Sequence, residues 1–450
     1  MLDIIIITSY LTISLIIGLY NRSTSKTLSG YSHLGKDINN NSLILAATIF
    51  ASSVGGATTF GITEKSFTGN IAFALGLLFT IPIDILIAVF IVPRLSKFRD
   101  VNSIGEIISK FYGQAPRIIT GISVALMSIG YLSVQINVSG RIFTYLLGIE
   151  YIDAVIVSYS IVILYTTIGG LRSVVINNSI QFIAMILAIP TLTILSINHI
   201  GIENFISKIP SEKYNILTSN NLLTDTIYAT LSFTVMGFYP TFIQRVLAGR
   251  NSISVQKAIY FKSAIYAFFI ICLTLNGLSA FILVPESFAS DALTNLIDKI
   301  IPSGVKAIIL IGFLAAVMST ADSDLNIASI SIVNDIFKPL NITQDTNLLI
   351  ITKFLTVIIG SAAILIVISF EGILELIIFS AGLWVPTAAV PLMGLLLNRK
   401  TSDKKFIFTS FVGSSVFILS NIFLSQNPIS PIFIGTAASA IIFILVSRKF

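Results

Sequence analysis

The chain has 450 residues, 55% of them hydrophobic and only 11% charged, with a mean hydropathy of +0.94. Soluble domains carry about 25% charged residues, so a deficit spread over the whole length excludes a soluble globular protein and points to an all-α polytopic membrane protein. One cysteine, Cys272, excludes an intrachain disulfide and a cysteine-based metal site, and two distant histidines, His33 and His199, argue against a histidine-centred catalytic site.

A helix needs about 20 apolar residues to cross the hydrocarbon core, and by that measure the sequence predicts about 13 spans. They lie near 2–20, 43–68, 71–94, 116–146, 152–169, 173–197, 225–247, 257–283, 304–336, 348–369, 372–397, 405–424 and 429–448. The first lacks a basic n-region and a small-residue cleavage site, so a retained helix is expected.

The second span reads ATIFASSVGGATTFGITEKSF over 47–67, with Gly55, Gly56 and Gly61 at mid-depth. The seventh, TLSFTVMGFYPTFIQRV over 230–246, carries Gly237 and Pro240. Glycine weakens a helix and proline removes a hydrogen bond. In lipid, freed backbone groups survive only against protein or a wet cavity. Close helix packing also favours glycine, but two interrupted spans five apart point to an inverted-repeat transporter. The repeat is inferred from this spacing, not from residue similarity between the halves.

Between these breaks lie isolated polar residues. Asp84, in FTIPIDILIAVF, is expected to bond a neighbouring helix. Gln135 is expected either to line a cavity or to bridge helices, and Arg141 to snorkel to the membrane surface.

The ninth span contains AAVMSTADSDLN, residues 315–326. At 100° per residue, Ser319, Ser323, Thr320, Asp322 and Ala316 share one face roughly 160° wide, with Asp324 at its margin. Hard cations take oxygen ligands. This face offers only oxygen, mostly neutral, which suits a monovalent ion that must also leave. Ser and Thr can instead bond back to their own helix, yet an ionisable residue inside a span is by default a functional hypothesis.

Placed on alternate sides of these spans, 21 of the 27 Lys and Arg fall on one side. The positive-inside rule makes that side cytoplasmic, with the N-terminus outside and the C-terminus inside. The same asymmetry explains the net charge of +6 without a nucleic-acid partner.

Several stretches together resemble the sodium:solute symporter family. They are YTTIGGLRSVVINNSIQ at 165–181, GFLAAVMSTADSDL at 312–325, ASSVGGATTFGI at 51–62, QRVLAGR at 244–250 and LWVP at 383–386. The resemblance implies a five-plus-five inverted-repeat core: a leading helix and loop over 1–40, a first repeat over 41–200, a second over 222–400 and two trailing helices over 401–450. It implies a sodium site built from the carbonyls of Ala51, Val54 and Ala316 with the hydroxyls of Ser319 and Thr320. A further sodium site in some members uses a hydroxyl matching Ser323 and an aspartate in the sixth span. That aspartate falls on Asn178 here, and Asp322 would restore the charge. Family substrate contacts match Ser53, Thr58 and Thr59 at the second-span break, and Phe238 and Tyr239 on the seventh span.

The expected activity is sodium-coupled symport of a small polar solute by alternating access in the cell (inner or plasma) membrane. Na+ is the coupling ion, and no obligate protein partner is evident. A small hydroxyl-rich lining favours an amino acid such as proline or a betaine-like zwitterion; sugars and carboxylates are alternatives. The rivals are proton coupling through Asp322, an intramembrane enzyme, for which HExxH and Gly-x-Ser-x-Gly are lacking, and a sensor, which would carry an output domain.

Overall fold

The computed structural model describes residues 2–23, 27–32, 41–214, 237–249, 251–302, 306–342, 347–369, 373–424 and 430–449. Without water, a backbone must bond its own N–H and C=O groups, and a helix does so within one segment. The described residues are accordingly almost all helical.

In chain order the main helices are α1 (Leu2–Tyr20), α2 (Ser42–Ser53), α3 (Gly56–Thr68) and α4 (Ala72–Phe98), then the short amphipathic α5 (Ile104–Tyr112). Next come α6 (Gln114–Leu147), α7 (Tyr151–Ile200), α8 (Pro240–Ala248), α9 (Ser252–Leu283) and α10 (Ala292–Ile300). The chain continues with α11 (Lys306–Phe337), α12 (Leu348–Ser369), α13 (373–396), α14 (Asp403–Phe423) and α15 (Ser430–Val446). Among the described residues, 9 helices are long and apolar enough to cross a membrane, and α2 with α3 makes one further span bent by 58°.

The expected break in the second span therefore exists. The expected spans at 152–169 and 173–197 run together as α7, which turns at Gly170 with φ 62° and ψ −162°. Only glycine occupies that region at low cost. Of the seventh span, 225–236 lie outside the described residues. Its remainder follows the proline logic: Tyr239 is extended, and α8 begins at Pro240, where the missing N–H costs nothing.

Helix α11 is the axis of the bundle. Every residue from Gly312 to Ser331 is buried, packed against α6 and α7. The polar stretch of the ninth span thus faces protein rather than lipid. The outer surface carries leucine, isoleucine and phenylalanine instead, such as Leu187, Phe354 and Ile350.

Asp84 bonds Lys262 across α4 and α9 at 2.6 Å, the inter-helix bond expected of it. Arg141 is exposed near the C-terminal end of α6. Two cations counted on the basic side do not sit at a membrane surface: Lys262 is 7% exposed and Arg245 0%. Counting charges along a sequence cannot tell a loop cation from one whose charge is matched inside the bundle. At the far end of α3, the Lys213 ammonium caps the helix, donating to the carbonyls of Phe67 at 2.5 Å and Gly69 at 2.9 Å. Cations are favoured there by the helix dipole, although burial holds the Lys213 pKa below the ordinary lysine value.

Replacing Gly170 tests the α7 turn. Gly170→Ala should cost about 1–3 kcal/mol, the strain of a side chain in that backbone region. The midpoint of thermal unfolding in detergent should fall for Gly170→Ala and not for Gly61→Ala, where an added Cβ meets nothing within 4 Å; equal midpoints would show that the Gly170 turn is not rigidly held.

Candidate functional site

The site is built where the broken second span meets α11. Helix α2 ends at Val54, whose backbone leaves the helical region at φ −108° and ψ 88°, and Gly55 precedes α3 with φ −103° and ψ −168°. The gap between the half-helices is bridged by side chains from elsewhere. Gln135 of α6 accepts the Gly56 N–H at 2.7 Å, so it is the bridging amide, placed at the break itself. A Cβ on Gly55 would lie 2.8 Å from Gln135 Oε1 and 2.9 Å from Thr320 Oγ1. The glycine is thus required by close approach from both sides.

From α11, Ser319 donates to the Ala51 carbonyl at 2.8 Å and lies 3.0 Å from the Ala316 carbonyl. Thr320 reaches the same two oxygens at 3.4 and 3.2 Å. Two hydroxyls and two carbonyls from two helices thus form one buried oxygen cluster. Val54 is buried beside them in the break.

The remaining oxygen-bearing residues of the ninth span go elsewhere. Ser323 receives Arg245 at 2.7 Å and Asn178 at 3.4 Å. Thr48 of α2 also accepts from both, Arg245 at 3.0 Å and Asn178 at 3.1 Å. Asp322 accepts from Tyr165 OH at 2.9 Å. Arg245 is its principal positive partner. Asp324 is buried on the far side of the helix from Asp322. The broad face expected from the helical wheel is therefore divided in two, because a wheel gives direction but not the neighbour met along it. Arg245 and Tyr165 lay within the stretches QRVLAGR and YTTIGG, yet their sequence carried no sign of inward-facing charge or pairing.

The substrate-lining expectations separate in the same way. Ser53 bonds back to Ile49 O at 2.6 Å, and Thr59 is buried with its hydroxyl on Gly55 O at 3.1 Å. Thr58 is half-buried. Tyr239 OH donates to the Ser52 carbonyl, and its ring stacks on Tyr131 with centroids 6.0 Å apart. Trp384 of α13 donates to the Phe238 carbonyl at 3.2 Å. The unwound residues of the second span and the extended residues before α8 are thus held by bonds from neighbouring helices, and Tyr239 joins the two.

A model of the family described as "Sodium:solute symporter family" matches residues 38–407. The chain belongs to this family. It is therefore a sodium-coupled solute symporter, an integral membrane transporter rather than an enzyme. The symporter is 25% identical to the sodium/glucose cotransporter of Vibrio parahaemolyticus over 100% of this chain and 90% of that protein. It is 25% identical to the sodium/pantothenate symporter of Haemophilus influenzae, but over only 49% of this chain and 47% of that protein. Its fold matches that of a Na+-coupled sialic acid symporter, solved in a substrate-bound outward-open state, with a TM-score of 0.85 at 17% identity, over 100% of this chain and 99% of that one.

The oxygen cluster fits sodium's chemistry. Its donors are neutral and hard, and one of them, the Ala51 carbonyl, lies just before a helix break. The hydroxyls, which now donate to those carbonyls, can rotate to present lone pairs to an ion.

Arg245 and Asp322 are coupled through Ser323, and removing one buried charge strands the other. Arg245→Met should destabilise by about 3–5 kcal/mol. Adding Asp322→Asn should recover part of that loss. Thermal unfolding of the four proteins of the cycle measures it, and strictly additive losses would rule out the coupling.

Proposed function

We propose that Ala51, Val54, Ala316, Ser319 and Thr320 hold the coupling sodium of this symporter. The observation that carries this reading is the pair of hydroxyls on α11 bonded to the Ala51 carbonyl across the break. An ion entering there would replace two hydroxyl–carbonyl bonds with ligation to all of these oxygens, drawing α2 and α11 together. That contact differs between loaded and empty protein, which is what coupling requires.

The spans are read as about 13 in number, arranged as a leading segment over 1–40, inverted repeats over 41–200 and 222–400, and trailing helices over 401–450. The N-terminus lies outside and the C-terminus inside the cell. Substrate binds between the two breaks, against Ser53, Thr58, Thr59, Phe238 and Tyr239. Helix α3 directs its positive dipole end at that space, which favours the carboxylate of a compact zwitterion such as proline or a betaine. A neutral sugar is the second reading, favoured by the match to a glucose cotransporter along the whole chain. Ser323 and Asp322, joined with Asn178 and Arg245, serve here as a polar lock between α2, α7, α8 and α11 and as the place where a further ion would compete. One inward charge gains about 2.3 kcal/mol per 100 mV of membrane potential, enough to drive accumulation.

Ser319→Ala and Thr320→Ala each remove a ligand to a charged species, worth about 1.5–3 kcal/mol. The sodium concentration for half-maximal uptake should rise roughly tenfold or more. Unchanged sodium dependence in both variants would end the assignment. Orientation is testable because the native thiol, Cys272, is buried. In intact cells, a membrane-impermeant maleimide should label Ser211→Cys and spare Ser402→Cys.

A further inference from the structure

The two-residue strands β1 (Arg399–Lys400) and β2 (Arg448–Lys449) pair antiparallel, with Arg399 opposite Lys449 and Lys400 opposite Arg448. Each cross-strand pair therefore sets one cation against another, an arrangement that repulsion disfavours. The cluster extends sideways. Lys400 lies over the Phe111 ring at 5.9 Å, and Lys110 over the Phe98 ring at 5.9 Å. Those two rings pack edge to face. Lys110, Lys400, Arg448 and Lys449 are exposed and Arg399 is half-buried. None of the five forms an ion pair among the described residues. The acidic residue in the connecting stretch is Asp403, exposed in the first turn of α14.

The position of the ribbon identifies what would balance it. It joins the ends of α13 and α15, so it lies where spanning helices leave the hydrocarbon. Immediately beside it are the exposed apolar side chains Leu397, Ile444 and Leu445, the last 77% exposed. Cations at headgroup depth next to bare apolar side chains match a molecule with a negative head and a hydrocarbon tail. A free anion would have no use for the apolar half. Clusters of basic residues at the ends of spans bind anionic lipid in this way.

We propose that the β1–β2 ribbon, with Lys110, binds the headgroup of an anionic phospholipid. The lipid would then tie α5 and α13 to the trailing helices. Purified full-length protein in detergent is titrated with phosphatidylglycerol, with phosphatidylcholine of the same chain length, or with inorganic phosphate. Bound lipid is counted by native mass spectrometry, and thermal unfolding is followed in parallel. Phosphatidylglycerol should bind more tightly than phosphatidylcholine, and its affinity should fall as salt is raised. Lys400→Gln with Lys449→Gln should weaken it roughly twenty-five-fold, about fivefold for each cation. Lys208→Gln with Lys299→Gln, exposed lysines on other helices, should not. Equal binding of the two lipids, salt-insensitive binding, or an unchanged affinity in the ribbon variant would overturn the proposal. Stabilisation by inorganic phosphate equal to that by phosphatidylglycerol would overturn the lipid as the source of the anion.

Discussion

The contact between Ser319, Thr320 and the carbonyl of Ala51 is the constraint on which the rest of this molecule depends. A helix interrupted inside a bilayer exposes backbone groups that lipid cannot satisfy. Here the interruption at Val54–Gly55 is tolerated because α11 brings hydroxyls to one side and α6 brings Gln135 to the other. The same bonds that stabilise the break concentrate neutral oxygens at it. If the proposed sodium site is correct, structural necessity and ion chemistry coincide in one place.

The charged groups obey a different economy. Arg245 is wholly buried, and taking an ion out of water is expensive unless its donors are all used and a counter-charge is near. Thr48, Gln244 and Ser323 take its donors, and Asp322 supplies the charge. These partners belong to α2, α8 and α11. Helix α2, helix α8 and the central polar helix are thus tied at a second level, separate from the oxygen cluster. Asn178 joins this network as a neutral donor to Thr48 and Ser323. Asp322 brings a carboxylate to the neighbouring position on α11.

Much of this was legible in the residues. Hydrocarbon thickness sets span length, so apolar runs located the helices closely, including α1, α9 and α12. Glycine and proline have specific backbone consequences, so the break at Val54–Gly55, beside Gly56, and the start of α8 at Pro240 could be anticipated. The division of the polar face of α11 could not. Helical spacing states which side chains point the same way, and Ser319 and Ser323 do. Only the packing of α2 and α8 makes one meet a carbonyl and the other a guanidinium. Arg245 looked like a surface cation because local sequence does not record burial.

By itself, the sequence determined an all-helical membrane protein, the position of its weak points and the hydroxyl-rich helix that would answer them. These follow from local physics: transfer to hydrocarbon, backbone hydrogen bonding and the conformational limits of glycine and proline. The tertiary structure decided which oxygens converge on Ala51, how Arg245 is compensated, and that two distant basic dipeptides, at 399–400 and 448–449, become neighbours. Those outcomes depend on contacts between residues far apart in the chain, whose geometry exists only once the helices have packed.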